Sequence, residues 1–288
     1  MDVQRLAIAG VAIALVAILL YYHPSVQDNG RVTVIISMDY GKQTLLVKET
    51  RSGISALEAL KHIANVSTAY GGGFVKGING IYSDPSQKKD WFYYINGYLA
   101  NVGASKYILR DGDVMRWDYH KWGEEPFVTA ELMDFPHMFT KGYGGNVKDT
   151  VILYDYKYKK EAENIGKFLT QKGAYVKIFE AKRYDGNYNK NIILIGTESK
   201  IFWKINNNTE VDLPYRVKGE GIVDWQGRFS RGAFAEILQS PLNPKGNWAC
   251  ENVMLIIAGS DEYLDDCVDA LLKHHDSFWI YRGPTNET

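Results

Sequence analysis

An uninterrupted apolar segment from Leu6 to Tyr22 constrains this chain more than any other feature of its sequence. Its seventeen residues carry no charge, which approaches the length of about 20 residues that a helix needs to cross a bilayer. Arg5 precedes the segment and Asp28 is the first charge after it. The preference for positive charge on the cytoplasmic side then predicts a cytoplasmic N-terminus. We therefore expect residues 1–24 to form a single-pass signal anchor in the cell membrane, with the soluble domains outside the cytoplasm.

A cleaved signal peptide is the alternative for this segment. The apolar run is longer than the usual signal-peptide core of roughly 7 to 15 residues. It ends in Tyr21, Tyr22, His23 and Pro24, which do not provide a cleavage site with small residues. Retention is favoured on these grounds, and the polar residues 25–30 are then expected to form a stalk between the membrane and the first domain.

Length and charge limit the remaining possibilities. A chain of 288 residues is long enough for two domains, each with a core of its own. The 33 Lys and Arg residues are balanced by 34 Asp and Glu residues, so the strongly basic surface of a nucleic-acid-binding protein is not expected.

The first domain, predicted over residues 31–122, alternates strand and turn signals around one helix. Runs of β-branched and apolar residues predict a hairpin, and later strands are separated by Asn-Gly and Asp-Gly turns. Ser55 followed by Glu58 is a helix-capping signature in front of an apolar stripe that ends at Ala64. One helix and four or five strands predict an α+β fold of the β-grasp-like kind. The predicted strands are Val32 to Ser37, Thr44 to Val47, Phe74 to Ile78, Trp91 to Ile95 and Val114 to Tyr119.

The second half of the chain has the pattern of an α/β domain. Residues 123–148 contain two prolines and a Gly-Tyr-Gly-Gly sequence, which predicts a linker. Residues 149–283 then alternate short apolar strands with amphipathic helices, which is typical of an α/β domain. The predicted strands are Val151 to Tyr154, Ala174 to Phe179, Asn191 to Ile195, Val253 to Ala258 and Phe278 to Tyr281.

Aromatic residues in the first domain are the candidate ligand contacts. Glycines at 71–73 allow a ligand to approach the backbone, with Tyr70 and Phe74 at the rim of the site. Alternation along Trp91 to Ile95 places Phe92 and Tyr94 on one face of the strand, where they could join Asn101 and Tyr107 in a binding patch. The alternatives are a flexible loop for the glycines and packing against the second domain for the aromatic face. The predicted ligand-binding residues are Tyr70, Gly72, Phe74, Phe92, Tyr94, Asn101 and Tyr107.

Signatures of catalysis or metal binding are weak in this sequence. No two of the six histidines have the i,i+4 spacing of a helical metal site, and we predict neither a metal site nor catalytic residues. Asp155 and Asp261 follow predicted strands, where helix capping or solvent exposure explains them. Cys250 and Cys267 are the only cysteines; they form either a disulfide, as an exported chain permits, or two buried thiols.

A sequence pattern in the first domain resembles the DUF4430 family. The pattern begins with Trp91-Phe92-Tyr93-Tyr94-Ile95-Asn96-Gly97 and continues through Ala100-Asn101-Val102-Gly103-Ala104, Tyr107, Leu109, Asp111-Gly112-Asp113 and Trp117. This family is similar to the C-terminal domain of transcobalamin and intrinsic factor. The resemblance covers about residues 31–119 and implies a β-grasp-like binding module on a secreted or surface-anchored protein. It makes cobalamin or another corrinoid one candidate ligand, although the helical domain with which the carriers enclose a corrin has no counterpart here.

The second domain resembles the α/β domains of archaeal S-layer-type surface proteins. The resemblance rests on Asn191 to Gly196 and Val253 to Asp261. Both resemblances predict an extracytoplasmic protein that binds a small molecule or an envelope protein, as an accessory to a transporter. The alternatives are a structural component of the cell envelope and a hydrolase or transferase with its site in the α/β domain.

Overall fold

A computed structural model describes residues 30–70, 73–273, 275 and 277–284. The predicted signal anchor lies outside these residues. In the part of the chain that is described, no helix is long and apolar enough to cross a membrane. The chain folds into mixed α and β structure with several sheets and few helices.

The first half of the chain contains strands β1 to β8 and helix α1. Their bounds are β1 (Arg31–Met38), β2 (Gln43–Arg51), α1 (Ala56–Ile63), β3 (Val66–Ala69), β4 (Phe74–Ile78), β5 (Ile81–Tyr82), β6 (Lys89–Ile95), β7 (Tyr98–Leu99) and β8 (Val114–Lys121).

The second half contains the remaining strands and helices, with single 3₁₀ turns between some of them. Their bounds are α2 (His137–Thr140), β9 (Thr150–Tyr154), α3 (Lys159–Gln171), β10 (Val176–Glu180), β11 (Asn191–Ile195), α4 (Lys200–Asn206), β12 (Tyr215–Lys218), β13 (Gly221–Asp224), β14 (Phe229–Ser230), β15 (Ala233–Gln239), β16 (Val253–Gly259), α5 (Asp261–Lys273) and β17 (Ile280–Arg282).

The first domain has the β-grasp-like arrangement that the sequence predicts. Its main sheet has the order β2-β1-β8-β6-β7, in which β1 pairs parallel with β8 at the centre. Strands β3, β4 and β5 form a separate small sheet. The predicted Asn-Gly turns are present, since Asn79, Gly80, Asn96 and Gly97 all have positive φ, as tight hairpin turns require.

Helix α1 covers one face of the main sheet. Ser55 caps it by accepting a hydrogen bond from the Glu58 backbone N–H at 3.1 Å, and the apolar stripe includes the buried residues Leu57 and Leu60. The stripe packs on Trp91, Ile95 and other side chains of the same sheet face. This is the cover that the periodicity of the helix predicts.

The second domain is a three-layer α/β structure. Its sheet has the order β10-β9-β11-β16-β15-β17, in which β10, β9, β11 and β16 are parallel and β15 runs antiparallel to both of its neighbours, β16 and β17. Helices α3 and α5 cover one face. Helix α4 and the small sheet β12-β13-β14 cover the other. Burial on both faces explains why β9, β11 and β16 are continuously apolar instead of alternating.

Residues 123–148, predicted to be a linker, contribute to the cores of the molecule. Ala130, Leu132, Met138 and Phe139 are fully buried and belong to the same apolar cluster as α3 and α5. The segment has little regular structure apart from α2. It therefore packs between the domains instead of spanning a gap between them.

A buried charged cluster joins this segment to the first domain. The Arg116 guanidinium contacts the Asp134 carboxylate at 2.6 Å and lies 3.8 Å from the Glu131 carboxylate. Asp118, nearby on β8, accepts hydrogen bonds from Ser37 at 2.6 Å and from two backbone N–H groups. All of these charged groups are buried, so the ion pairs are shielded from water and constrain how the two parts meet.

Aromatic residues also pack against each other between the two domains. Tyr40 and Tyr94 of the first domain pack on Phe278 and Trp279, which precede β17. Gly41 lies in the turn between β1 and β2 with φ of +81°, and a Cβ atom there would come 2.7 Å from the Met133 side chain. Glycine is therefore required at this position both by the backbone conformation and by the close approach of the segment 123–148.

Candidate functional site

The predicted glycine loop is at the surface of the first domain. Tyr70 is 91% exposed and Phe74 is 37% exposed, with their ring centroids 6.4 Å apart. Gly72 lies outside the described residues. The two rings form an exposed pair, as predicted for the rim of a site, but they do not meet the other predicted aromatic residues.

The β6 strand alternates as predicted, and its outer face is covered by the second domain. Trp91 and Ile95 pack in the core with α1. Tyr94 is fully buried, donates a hydrogen bond to the Val128 carbonyl at 3.2 Å and packs against Phe278. The structure therefore corrects the interpretation of Tyr94 as a ligand contact, because the α/β domain occupies the space in front of its ring.

Tyr107 is also a packing residue. It is 6% exposed, its ring centroid is 4.9 Å from that of Tyr143, and its hydroxyl accepts a hydrogen bond from the Gly144 N–H at 2.9 Å. Burial raises its pKa above the usual range. This placement corrects the prediction that Tyr107 is available to a ligand.

Phe92 and Asn101 lie at the edge of the domain contact. Phe92 is half-buried and stacks on the His120 ring with centroids 4.3 Å apart. The Asn101 amide donates to the Trp248 carbonyl at 3.0 Å. Both residues therefore lie close to a groove that the segment 123–148 forms with the α/β domain.

We call this concavity the junction groove. It has a volume of about 220 Å³ and is lined in part by Phe127, Thr129, Glu210, Asp212, Gln239 and Trp248. Phe127 and Trp248 are 36% and 45% exposed, and their ring centroids are 5.0 Å apart. The Phe92 ring lies 6.4 Å from that of Phe127 and extends this aromatic row.

Hydrogen bonds hold the walls of the junction groove in place. The Gln239 amide donates to the carbonyls of Leu99 and Thr129 at 3.0 Å each, and its oxygen accepts from the Cys250 N–H at 3.0 Å. The Asp212 carboxylate accepts the Phe127 N–H at 2.8 Å. These bonds connect the loop that carries Trp248, the connection that carries Phe127, and the α/β sheet, so the groove is formed before any ligand arrives.

The junction groove has a negative electrostatic character. Glu210 and Asp212 are both exposed, and none of the described residues that line the groove is a lysine or an arginine. Aromatic faces also attract cations through the negative charge of their π systems. Aromatic rings and carboxylates together suit an organic cation, in which a positive charge is surrounded by apolar groups.

A buried acid lies behind the groove. Glu236, on β15, is 2% exposed; one of its oxygens accepts the Tyr215 N–H at 3.0 Å and the other has no hydrogen-bond partner in the structure. Burial raises the pKa of this carboxyl to about 8, against the opposing effects of the Tyr215 N–H and Arg216. Glu236 is therefore largely neutral at pH 7.

The two cysteines are free and buried, so the structure contains the second of the two alternatives, buried thiols instead of a disulfide. Cys250 belongs to the loop that lines the domain contact, where its thiol donates to the Leu99 carbonyl at 3.4 Å. Cys267 lies on α5 and packs in the core under the sheet. Burial raises the pKa of each thiol to about 12, which keeps both in the unreactive protonated form.

Asp155 and Asp261 both have structural partners. The Asp155 carboxylate accepts the N–H groups of Thr197 and Glu198 at 2.8 Å each. Asp261 is paired with Lys157 at 2.5 Å and with the Tyr158 hydroxyl at 2.6 Å. In the described part of the chain, no group of three or more His, Cys, Asp and Glu side chains is arranged to hold a metal ion.

Sequence reasoning did not identify the main residues of the junction groove. Phe127 and Trp248 lie in irregular segments far apart in the chain, and neither belongs to a periodic pattern. Their positions beside Pro126 and shortly after Pro244 mark loops but not a site. Only the packing of the segment 123–148 on the α/β domain brings the rings together.

Comparison with known proteins identifies the first domain. Residues 53–121 match the family model described as "Domain of unknown function (DUF4430)", which confirms the resemblance inferred from the sequence. No curated protein matches the chain.

Solved structures with local similarity include two that cover 33% of this chain. One is a candidate metal-binding protein from Ruminococcus gnavus, with 20% identity over 99% of that chain and a TM-score of 0.28. The other is haptocorrin in complex with Cbi, with 15% identity and a TM-score of 0.28. The present chain spans only 26% of the haptocorrin chain.

Proposed function

We propose that this chain, whose residues 53–121 form a DUF4430 domain, is a non-catalytic binding protein that takes an organic cation in the junction groove. The observation that carries the proposal is the pairing of Phe127 with Trp248 beside the carboxylates of Glu210 and Asp212. A cation over aromatic faces gains about 0.5 to 2 kcal/mol, with the larger values in sites shielded from water.

The size of the groove limits what can enter it. At about 220 Å³ it is smaller than the 300–1,000 Å³ that is typical of sites enclosing a drug-sized ligand. It therefore suits a single ammonium-bearing group. A corrinoid macrocycle would have to lie largely outside the groove, so this geometry does not favour a corrinoid as the ligand.

The lining of the groove favours binding over catalysis. It supplies aromatic rings, the amides of Gln239 and Asn247, and two carboxylates, but no histidine or cysteine. A hydrolase or transferase would need an activated nucleophile with a base beside it. A structural envelope component would be expected to present a broad apolar patch instead of a charged groove.

The proposed cellular setting follows from the sequence. We place the chain in the cell membrane through the apolar segment 6–22, with both domains outside the cytoplasm, where a bound cation could be delivered to a transporter. Protease added outside intact spheroplasts should digest the domains, and the chain should leave the membrane fraction only with detergent. Protection from external protease would contradict this topology.

The binding proposal is tested with choline and its neutral isostere 3,3-dimethylbutan-1-ol. The full chain is kept in a polyoxyethylene detergent, which carries neither a cation nor a sugar, and binding is measured by calorimetry. We expect saturable binding of choline and weaker binding of the alcohol, because the two differ chiefly in charge. Equal binding of the two compounds, or binding of neither, would contradict the proposal.

Variants locate the binding. We expect Trp248→Ala to weaken choline binding by about tenfold, and Asp212→Asn to weaken it by about threefold or more. Trp203→Ala is the matched control, since Trp203 is similarly exposed at 43% but lies on α4, away from the junction groove. Cyanocobalamin is included as a further probe, and its saturable binding in place of choline would reassign the protein as a corrinoid binder.

A further inference from the structure

A second concavity lies at the carboxyl end of the α/β sheet. We call it the sheet-edge cleft. It has a volume of about 470 Å³, and the side chains that matter for its chemistry are those of Thr197, Trp203, Glu220, Arg231, Asp261 and Glu262. This volume lies within the range typical of small-molecule sites.

The topology of the sheet places this cleft where α/β proteins bind ligands. Strand β9 leads through α3 to β10 on one side, whereas β11 leads through α4 to β15 on the other. The chain thus leaves the neighbouring strands β9 and β11 in opposite directions. Such a reversal opens a crevice at the carboxyl ends of β9 and β11, and the cleft lies next to it, at the ends of β11 and β16.

The walls of the sheet-edge cleft are fixed by hydrogen bonds. The two oxygens of buried Asp155 hold the N–H groups of Thr197 and Glu198, which begin the segment after β11. Ser260 donates to the Glu220 carbonyl at 2.9 Å and accepts the Gly232 N–H at 3.2 Å. The small sheet and the end of β16 are therefore held together, and the cleft keeps its shape without a ligand.

Gly259 and Gly196 make this arrangement possible. Gly196 has φ of +95°, and a Cβ atom there would come 2.2 Å from the Asp155 carboxylate. Gly259 has φ of +132°, and a Cβ atom would come 2.3 Å from the Gly232 carbonyl. Larger residues would push apart the two walls that the hydrogen bonds join.

The remaining groups of the cleft offer both donors and acceptors. The Arg231 guanidinium is 3.9 Å from the Glu262 carboxylate, and both side chains are more than half exposed. At that distance the two groups attract each other without forming a hydrogen bond. A ligand hydroxyl can therefore accept from the arginine and donate to the glutamate.

Trp203 provides a flat apolar surface beside these polar groups. Its indole is 43% exposed and is supported from behind by fully buried Phe202, with ring centroids 5.1 Å apart. An aromatic ring next to hydrogen-bonding groups suits a ligand with one face of C–H groups and a rim of hydroxyls. Sugar rings have this character.

Charge distinguishes a sugar from an anion in this cleft. Glu220, Asp261 and Glu262 contribute three carboxylates, and Arg231 is the one cation among the lining residues. Lys157 neutralises Asp261 from outside the lining. The remaining negative balance disfavours phosphate and carboxylate ligands but does not oppose a neutral hydroxylated one.

We propose that the sheet-edge cleft is a binding site for neutral sugars, separate from the junction groove. Trp203 stacks on the sugar ring, and Arg231 and Glu262 hydrogen-bond to its hydroxyls. The site is independent of the proposed cation binding, since the two concavities share no lining residue.

The experiment follows the indole N–H signals of the seven tryptophans in ¹H–¹⁵N spectra of the full chain in polyoxyethylene detergent. Trp203→Phe and Trp248→Phe assign the two reporter signals. Glucose, galactose, mannose, xylose, N-acetylglucosamine and maltose are titrated, with inorganic phosphate and choline as probes of other classes. We expect at least one sugar to move the Trp203 signal along a saturable curve while the Trp248 signal stays in place.

A variant with a matched control then tests the contacts. Arg231→Gln should weaken sugar binding by about tenfold. Arg228→Gln, which removes an exposed arginine paired with Asp224 on the neighbouring hairpin, should leave it unchanged. The proposal is overturned if no sugar of the panel moves the Trp203 signal, if phosphate alone does so, or if Arg231→Gln has no effect. A shift of the Trp248 signal on addition of choline tests only cation binding in the junction groove. The sugar-binding proposal and the cation-binding proposal can therefore be contradicted independently.

Discussion

Glu236 is the residue whose chemistry departs most from its surroundings. It lies in the middle of β15, a strand with every residue buried, and carries one carboxylate oxygen without a hydrogen-bond partner. A buried carboxyl of this kind is tolerated in its neutral form, because ionisation would leave an unpaired charge out of contact with water. Its burial therefore links the stability of the fold to pH.

We predict that Glu236 makes the protein less stable as pH rises. Its folded pKa of about 8 lies above the usual 4.5, so the folded state holds a proton that the unfolded state releases. The contribution of the neutral form to the unfolding free energy is complete below about pH 4.5 and is lost progressively as the pH rises to about 8. The total loss is at most about 5 kcal/mol. Glu236→Gln should abolish this loss, and the difference in unfolding free energy from the unsubstituted protein should grow between pH 5 and pH 9.

Denaturant unfolding at several pH values measures the effect. Glu210→Gln is the matched control, because Glu210 is exposed and its substitution should leave the slope with pH unchanged. Parallel pH profiles for Glu236→Gln and the unsubstituted protein would show that Glu236 is ionised in the folded state.

At the scale of secondary-structure elements, helix α1 depends on a single side chain at its start. The Ser55 hydroxyl satisfies the Glu58 N–H, which otherwise has no partner in the first turn of the helix. We predict that Ser55→Ala lowers the unfolding free energy by about 1 kcal/mol. Ser105→Ala, at an exposed position outside the helices and strands, should change it little. Equal stability of the two variants by thermal or denaturant unfolding would contradict the role of the cap.

Local pattern predicted most elements and failed where the apolar signal was short or interrupted. The β1–β2 hairpin, α1 and the β9-α3-β10 unit follow from alternation, capping and helical periodicity. Strand β15 was missed, because Glu236 interrupts its apolar run. Helix α4 was missed too, since its seven residues are too few for a clear periodic signal.

At the scale of the whole molecule, Arg116 balances the charges between the first domain and the segment 123–148. Its guanidinium is 3% exposed and is paired with Asp134, beside Glu131. Burial and the neighbouring Asp134 raise the pKa of Glu131, while Arg116 opposes the rise. Loss of Arg116 would leave two acids facing each other without a counter-ion.

We predict that Arg116→Met lowers the unfolding free energy by about 3 to 5 kcal/mol, the usual cost of leaving a buried charge unpaired. Arg31→Met is the matched control, because Arg31 forms an exposed pair with Glu49 that is worth about 1 kcal/mol or less. Calorimetry measures the unfolding free energy of both variants. Should Arg116→Met fail to fold, Arg116→Lys, which keeps the charge, is expected to lose less unfolding free energy. Similar losses of unfolding free energy for Arg31→Met and Arg116→Met would contradict the prediction.

The sequence predicted a ligand-binding face on β6, whereas the junction groove proposed here is lined by other residues. Alternation correctly separated Phe92 and Tyr94 from Trp91 and Ile95, yet it could not show that the α/β domain would bury Tyr94. Phe127 and Trp248 meet only because the segment 123–148 packs on the α/β domain, and no local pattern records a contact between loops so far apart. Residues whose role depends on docking are the ones that single-sequence reasoning cannot find.

The position of Phe278 and Trp279 has a consequence for the order in which the protein is made. The face of the first domain around Tyr40 and Tyr94 is completed by these two residues, which leave the ribosome only after nearly all of the α/β domain. At about 5–20 residues per second, an emerging domain waits many seconds for such a distant partner. During synthesis, the first domain thus carries an uncovered aromatic surface, which is the kind of surface that a chaperone recognises.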